Sequence, residues 1–208
     1  MILRILVTAL VCYLLGNHNG AICVSAIMGD DVRNHGSGNA GLTNFYRTYG
    51  ARYALGVILL DMGKTAVATM IGGYMFHCLY EDWTLGVLVA GLSCIIGHIF
   101  PAFYEFKGGK GILAGSILVI MLDWRMALVA WCLFFLSVVL TRFVSLGSIM
   151  AAASVGVTAF FLYDRPVYII LAVITAALVI WSHRSNVVRL LKGNENKFKF
   201  HKEPPQET

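Results

Sequence analysis

The sequence predicts an all-α integral membrane protein: a seven-transmembrane-helix bundle with its N-terminus outside and its C-terminus cytoplasmic. Three observations predict it. The 208 residues are 58% hydrophobic and only 13% charged, with a mean hydropathy of +0.74, whereas soluble domains carry roughly 25% charge. The apolar residues fall in runs approaching the ~20 residues that a bilayer crossing needs, separated by short polar knots. Lysine and arginine crowd into alternate knots. The runs are too uniformly apolar for the alternating strands of a lipid-facing barrel. No stretch is left for a soluble domain, so residues 1–208 read as one membrane-embedded domain with a basic tail over about 183–208.

The first span runs from Met1 to about Met28 and is interrupted by Gly16-Asn17-His18-Asn19-Gly20. A cleaved leader is the rival reading, but no small-x-small cleavage site follows and Ala21 to Met28 is apolar again. Polar backbone at membrane depth needs partners from protein or water, so this break is expected to face the bundle interior. The second span, about Ala51 to His77, contains Asp61 and Lys64 on one helix face. An ionisable pair inside a membrane is either a functional group or a structural ion pair. Further spans are expected at about Thr84–Phe100, Gly111–Leu122, Met126–Leu140, Leu146–Leu162 and Val167–Trp181, the Gly111 one being short. With the N-terminus outside, twelve Lys and Arg lie in the inner segments, whereas the outer loops hold only Arg125 and Arg165. Positive residues mark the cytoplasmic side, which supports this orientation. Five cysteines, an odd number without metal-ligand spacing, read as small buried hydrophobes rather than a disulfide framework or zinc site.

Four knots carry candidate chemistry. The first is Gly36-Ser37-Gly38-Asn39-Ala40-Gly41-Leu42-Thr43-Asn44 with Arg47. Its glycines let backbone approach a ligand, and Arg47 offers a donor fork that matches phosphate; a plain polar connection is the other reading. The second is Gly97-His98 followed by Phe106-Lys107-Gly108-Gly109-Lys110-Gly111. Free amides, a helix N-terminus and two ammonium groups suit an anion, while topogenic anchoring needs only the lysines. It lacks the Walker A pattern. The third is Thr141-Arg142-Phe143-Val144-Ser145-Leu146-Gly147-Ser148, which also reads as a helix cap beside a topogenic arginine. In the fourth, His183, Asn186 and Arg189 recur every third residue. A basic tail on anionic lipid would need neither the His nor the Asn.

Together, in this order, the knots resemble the bacterial membrane acyl-phosphate:glycerol-3-phosphate acyltransferases of the PlsY family. The match includes Arg189-Leu190-Leu191 with Gly193 and the Asp61 and Lys64 pair, and spans nearly the whole chain. One departure lies in the first span: Tyr13-Leu14-Leu15-Gly16 is followed by Asn17-His18-Asn19 where the family usually has Ser-Ile-Pro.

The resemblance implies a seven-helix enzyme of phospholipid synthesis in the bacterial cytoplasmic membrane, its active site facing the cytoplasm. Its substrates would be acyl phosphate and glycerol 3-phosphate, and its product lysophosphatidic acid, with no cofactor, metal or nucleic acid. Ser37, Gly38, Arg47, Lys107, Gly108, Gly109, Lys110 and Ser145 are then expected to bind substrate phosphate. His183 is the leading candidate base and His98 the second, with Asn186 and Asn39 orienting groups or donating to the oxyanion. A substrate phosphate oxygen is the rival proton acceptor. The acyl chain is expected between helices open to membrane lipid. The alternative function is a transporter or channel for a phosphorylated solute, which broken helices and Asp61 and Lys64 would also suit. It requires a path from both faces and often an internal repeat, and no repeat is visible. His77-Cys78-Leu79-Tyr80-Glu81-Asp82 fits a His-x-x-x-x-Asp acyltransferase pattern, but falls at the opposite end of its helix from the basic knots. Acyl-chain preference and oligomeric state are not legible.

Overall fold

The computed structural model describes residues 2–198. These form ten α-helices. The first span is α1 (Ile2–Asn17) and α2 (Gly20–Ile27), broken at the expected polar residues. A short helix α3 (Leu42–Tyr49) follows the first glycine-rich loop. Then come α4 (Ala51–Tyr80), α5 (Trp83–Ile99), α6 (Ile112–Leu122), α7 (Trp124–Thr141), α8 (Val144–Leu162) and α9 (Pro166–Ser182). The last, α10 (Arg184–Leu191), is bent 56° from α9.

Every apolar run expected from the sequence is helical, but they are not equivalent. Among the described residues five stretches are long and apolar enough to cross a membrane, or six if α9 and α10 count as one broken span. The remaining segment, α6, has 11 residues, about 16 Å of rise against about 30 Å of hydrocarbon. Helix ends are set by local chemistry. The side chains of Asp82 and Asp123 accept hydrogen bonds from the Leu85 and Arg125 amides and cap α5 and α7. Pro166 opens α9, where its missing N–H is harmless.

Between helices in lipid the hydrophobic effect is weak, so close packing of small residues matters more. Gly16 of α1 lies against the Cys94 backbone of α5, and Gly97 of α5 against Tyr13 of α1. Gly72 of α4 and Gly86 of α5 meet backbone to backbone. A methyl group at any of them would overlap its neighbour.

These contacts press α1, α4 and α5 together around a buried polar cluster. The Lys64 ammonium lies 2.9 Å from Asp61 Oδ1, and donates to the Gly16 carbonyl at 3.1 Å and the His18 carbonyl at 2.8 Å. It is also 3.0 Å from His98 Nδ1. Asp61 Oδ1 in turn accepts the Gly20 amide at 2.9 Å. The carbonyls and the amide that the break leaves without helical partners are thus taken up by the ion pair of α4. Of the five cysteines, all free, Cys12 and Cys94 are buried as expected, but Cys78 and Cys132 are exposed on outward helix faces.

The polar loops gather at one end of the bundle. At the other end Asp82 accepts from Arg165 at 2.5 Å and from Tyr168 at 2.5 Å. Asp82 is therefore a cap and a clamp between α5 and α9, which accounts for the acidic member of the His77–Asp82 pattern.

Removing one member of a buried pair leaves an uncompensated charge and typically costs about 3–5 kcal/mol. Lys64→Met is therefore expected to lower the unfolding midpoint in detergent strongly, and the double variant Asp61→Asn/Lys64→Met to recover part of the loss. Equal midpoints for single and double variants would show that the pair does not hold the break.

Candidate active site

The broken span holds both glycine-rich loops. Asn19 caps α2 through the Ile22 amide at 3.1 Å and donates to the Ala40 carbonyl of the first loop at 3.0 Å. Asn17 accepts the Phe103 amide of the second loop at 3.2 Å, and Tyr13 donates to the Phe100 carbonyl at 2.9 Å. Asn17 and Asn19, at the break, thus tie both loops to the first span.

Within the first loop Gly36 and Gly38 have positive φ (56° and 69°), where a side chain would be strained. Buried Asn44 donates to the Val32 and His35 carbonyls and accepts the Ser37 amide at 2.9 Å. In the second loop the Gly108 and Gly109 amides donate to the Ile99 and His98 carbonyls. The expectation that this loop offers free amides to an anion is therefore corrected at Gly108 and Gly109. Their amides pair with the end of α5, and the glycines are there because side chains would overlap His98 and Pro101. Gly38 likewise donates to the His35 carbonyl. Charge at this end is left to side chains and to the N-terminus of α6.

Those side chains converge on one cavity of about 430 Å³. Its mouth is lined by Ser37, Asn39 and Arg47 from the first loop and α3, by Lys110, and by Ser145 and Ser148 of α8. His183, Asn186 and Arg189 line it from the bend after α9 and from α10. A hydrogen-bonded chain ties them. Lys110 Nζ donates to Asn186 Oδ1. Asn186 donates to Glu195 at 2.8 Å, as do Ser145 at 2.9 Å and Arg189 at 2.7 Å. Beyond α10 the chain turns back across the mouth, where Arg47 donates to the Asn196 carbonyl at 3.3 Å and the Phe198 amide to the Arg142 carbonyl at 2.7 Å.

His183 Nδ1 lies 2.8 Å from the Val179 carbonyl. A carbonyl only accepts, so Nδ1 carries the proton and the neutral ring's lone pair is on Nε2. His98 is different. Its Nδ1 is engaged within the buried cluster, 3.0 Å from the Lys64 ammonium and 3.4 Å from Asp61 Oδ1. His98 lines the cavity as part of the buried cluster. Lys107 does not line it: its exposed ammonium pairs with Glu105 at 2.9 Å.

A second, open cavity of about 300 Å³ shares Ser37, Asn39, Lys110 and Arg189 with the first, and Lys107, Gly108 and Gly109 line it. Two neighbouring spaces thus share the same cations.

Burial pushes the Lys110 ammonium down to about 8, helped by the nearby positive charge of Arg189 and opposed by Glu195. Burial alone would raise the Glu195 carboxyl, but hydrogen bonds from Arg189, Asn186 and Ser145 hold it below its ordinary range. The mouth therefore carries several cations against one carboxylate.

Sequence reasoning missed Glu195, since an acidic residue in a basic run has no motif. It expected an apolar space between helices but named none of its residues; Met62, Leu113, Trp131, Phe134 and Val155 of the cavity's lower half come from four helices. Among the described residues no group of His, Cys, Asp and Glu has the arrangement of a metal site.

The family model described as glycerol-3-phosphate acyltransferase matches residues 6–193. The chain is 36% identical over 197 residues to the glycerol-3-phosphate acyltransferase of Finegoldia magna, covering 94% of this chain and 96% of that one. It is 38% identical over 203 residues to that of Shouchella clausii, covering 95% and 97%. The fold is similar, at a TM-score of 0.84 and 32% identity, to the crystal structure of PlsY (YgiH), an integral membrane glycerol 3-phosphate acyltransferase, in its glycerol 3-phosphate form. That likeness covers 94% of this chain and 96% of the other.

A lysine is charged below its pKa, so the cavity's attraction for an anion is expected to weaken as pH rises through about 8. Calorimetric titration with inorganic phosphate checks this. Lys110→Arg, charged throughout, is expected to hold its affinity a full pH unit further. A wild-type affinity unchanged across that range would remove Lys110 from the anion site.

Proposed function

The chain belongs to the glycerol-3-phosphate acyltransferase family, and from that premise we propose that its acyl donor is an acyl phosphate. The reaction would join the acyl group to the 1-hydroxyl of glycerol 3-phosphate and release lysophosphatidic acid and inorganic phosphate. One observation carries the reading: a single cavity runs from a cationic mouth into an apolar groove between helices. A charged head on a hydrocarbon chain fits such a cavity, and the adjoining polar space suits a small second anion.

In this reading Ser37, Arg47, Lys110 and Ser145 hold phosphate, with Gly38, Lys107, Gly108 and Gly109 at the outer wall. Opposite charge and fixed donors neutralise two phosphates brought close together. The acyl phosphate is already activated, so no acyl-enzyme is needed. The hydroxyl oxygen attacks the carbonyl carbon, His183 Nε2 takes its proton, and the tetrahedral oxyanion collapses to expel phosphate. Asn186 and Asn39 orient the hydroxyl or donate to the oxyanion. His98 is a positioning group, since its Nδ1 is engaged by the Asp61 and Lys64 pair. The cavity ends against the buried core at Val119, Ala130 and Val155, which supports transfer at one face over a path for transport.

The bias of lysine and arginine supports a loop-bearing end in the cytoplasm, an N-terminus outside and a place in the bacterial cytoplasmic membrane. Lys199 and Lys202, counted in that bias, lie outside the described residues. In this orientation α6 counts as the seventh crossing, and 1–208 reads as one membrane-embedded domain with a basic tail.

Purified protein in lipid, given palmitoyl phosphate and radiolabelled glycerol 3-phosphate, is expected to make labelled lysophosphatidic acid. Arg47→Ala and Lys110→Ala each remove a charged hydrogen bond and should lower kcat/KM by about 10²-fold, while Lys107→Ala changes it severalfold at most. His183→Gln is expected to lower kcat more than it raises KM. Full turnover in His183→Gln would make a substrate phosphate the proton acceptor. Absence of product in the wild-type protein would sink the reading.

A further inference from the structure

The helices that bound the groove also fix its length. A single residue, Asp123, joins α6 to α7, and residues of both helices, with α8, line the groove. Its closed end is Val119, Ala130 and Val155, which belong to the core cluster with Leu88, Met126 and Ala159. Counting along the helices gives its depth: about 12 Å from Gly111 to Val119 and about 15 Å from Ser145 to Val155. Half of a bilayer's hydrocarbon thickness is also about 15 Å. The groove is therefore as deep as one leaflet is thick, the reach of a single membrane-lipid acyl chain. Its hydroxyls do not oppose such a chain. Ser116 donates to the Leu113 carbonyl at 2.7 Å and Thr175 to the Leu171 carbonyl at 2.8 Å, each within its own helix.

Gly115 stands out on this wall. It shares the groove-lining stripe of α6 with Ile112 and Val119, about 6 Å below Gly111. Gly16, Gly72, Gly86 and Gly97 are small because a Cβ would strike a neighbouring helix, but a Cβ on Gly115 would meet nothing within 4 Å. It does not have positive φ either. A glycine inside a helix is unfavourable relative to alanine, and neither packing nor backbone conformation requires one here. What its missing side chain leaves open is the groove.

We propose that Gly115 determines acyl-chain specificity: it keeps the groove open past its first turn, so that chains as long as a leaflet reach the closed end at Val119, Ala130 and Val155. The inference rests on the acyl-phosphate reading above and goes beyond it by naming what sets chain length.

The test uses full-length protein in lipid with butanoyl, octanoyl, dodecanoyl and palmitoyl phosphate, with kcat/KM measured for each. In the wild type it should rise with length up to the longest chains. Gly115→Leu should leave butanoyl phosphate within about threefold of wild type and lose about tenfold for every two methylenes that no longer fit. Gly115→Ala should fall between the two and should fold at least as well. Gly63→Leu, in an equally open position on the exposed face of α4, should leave the length profile unchanged. Equal loss at every length, or an unchanged profile in both Gly115 variants, would overturn the proposal and leave the reaction standing. A wild type that transfers from none of the four donors would overturn the reaction itself.

Discussion

One ammonium group holds this structure together. Lys64 reaches from α4 to the two carbonyls exposed where the first span breaks, and its partner Asp61 takes the Gly20 amide. In hydrocarbon no water is available for such groups, so the break persists only because a charge pair satisfies it. The break then does what a continuous helix could not. It leaves Asn17 at the end of α1 and Asn19 outside the helices, facing different loops, so Ala40 and Phe103 hang from the same few residues. The glycine contacts of α5 with α1 and α4 bring the three helices close enough for this arrangement.

Much of this is legible in the sequence, and the limits have physical causes. The apolar runs give the helices, and the spacing of Asp61 and Lys64 gives a pair on one helical turn. His98, the third member, is invisible because its contact is made across 34 residues by helix packing. The glycines of the second loop are misleading for a similar reason. A Gly-Gly pair between lysines fits an anion nest, yet here it fits the close approach of backbone to the end of α5, and the amides are consumed by that approach. Crossing number is ambiguous because α6 is apolar enough but too short. Glu195 and the groove carry no signature at all, since a carboxylate clasp and an apolar cleft arise only from three-dimensional placement.

The electrostatics of the mouth follow from the same geometry. Arg47, Lys110 and Arg189 come from three separate segments and face one carboxylate, Glu195. Burial weakens the hold of Lys110 on its proton, and the neighbouring cations weaken it further. The mouth is thus a place of incompletely compensated positive charge. The carboxylate of Glu195 meanwhile ties the returning chain to α8 and α10, so the positive groups keep fixed positions while they wait.

The one-leaflet depth of the groove has a consequence for the membrane as a whole. On the proposed reading, each turnover makes a single-chain lipid whose head is already at one surface and whose tail is already among the lipids of that half. The new molecule can leave by sideways diffusion without passing through water. All of it enters the same monolayer. Synthesis of this kind enlarges one side of the sheet only, so a growing membrane that depends on it accumulates curvature stress until lipids cross to the other side.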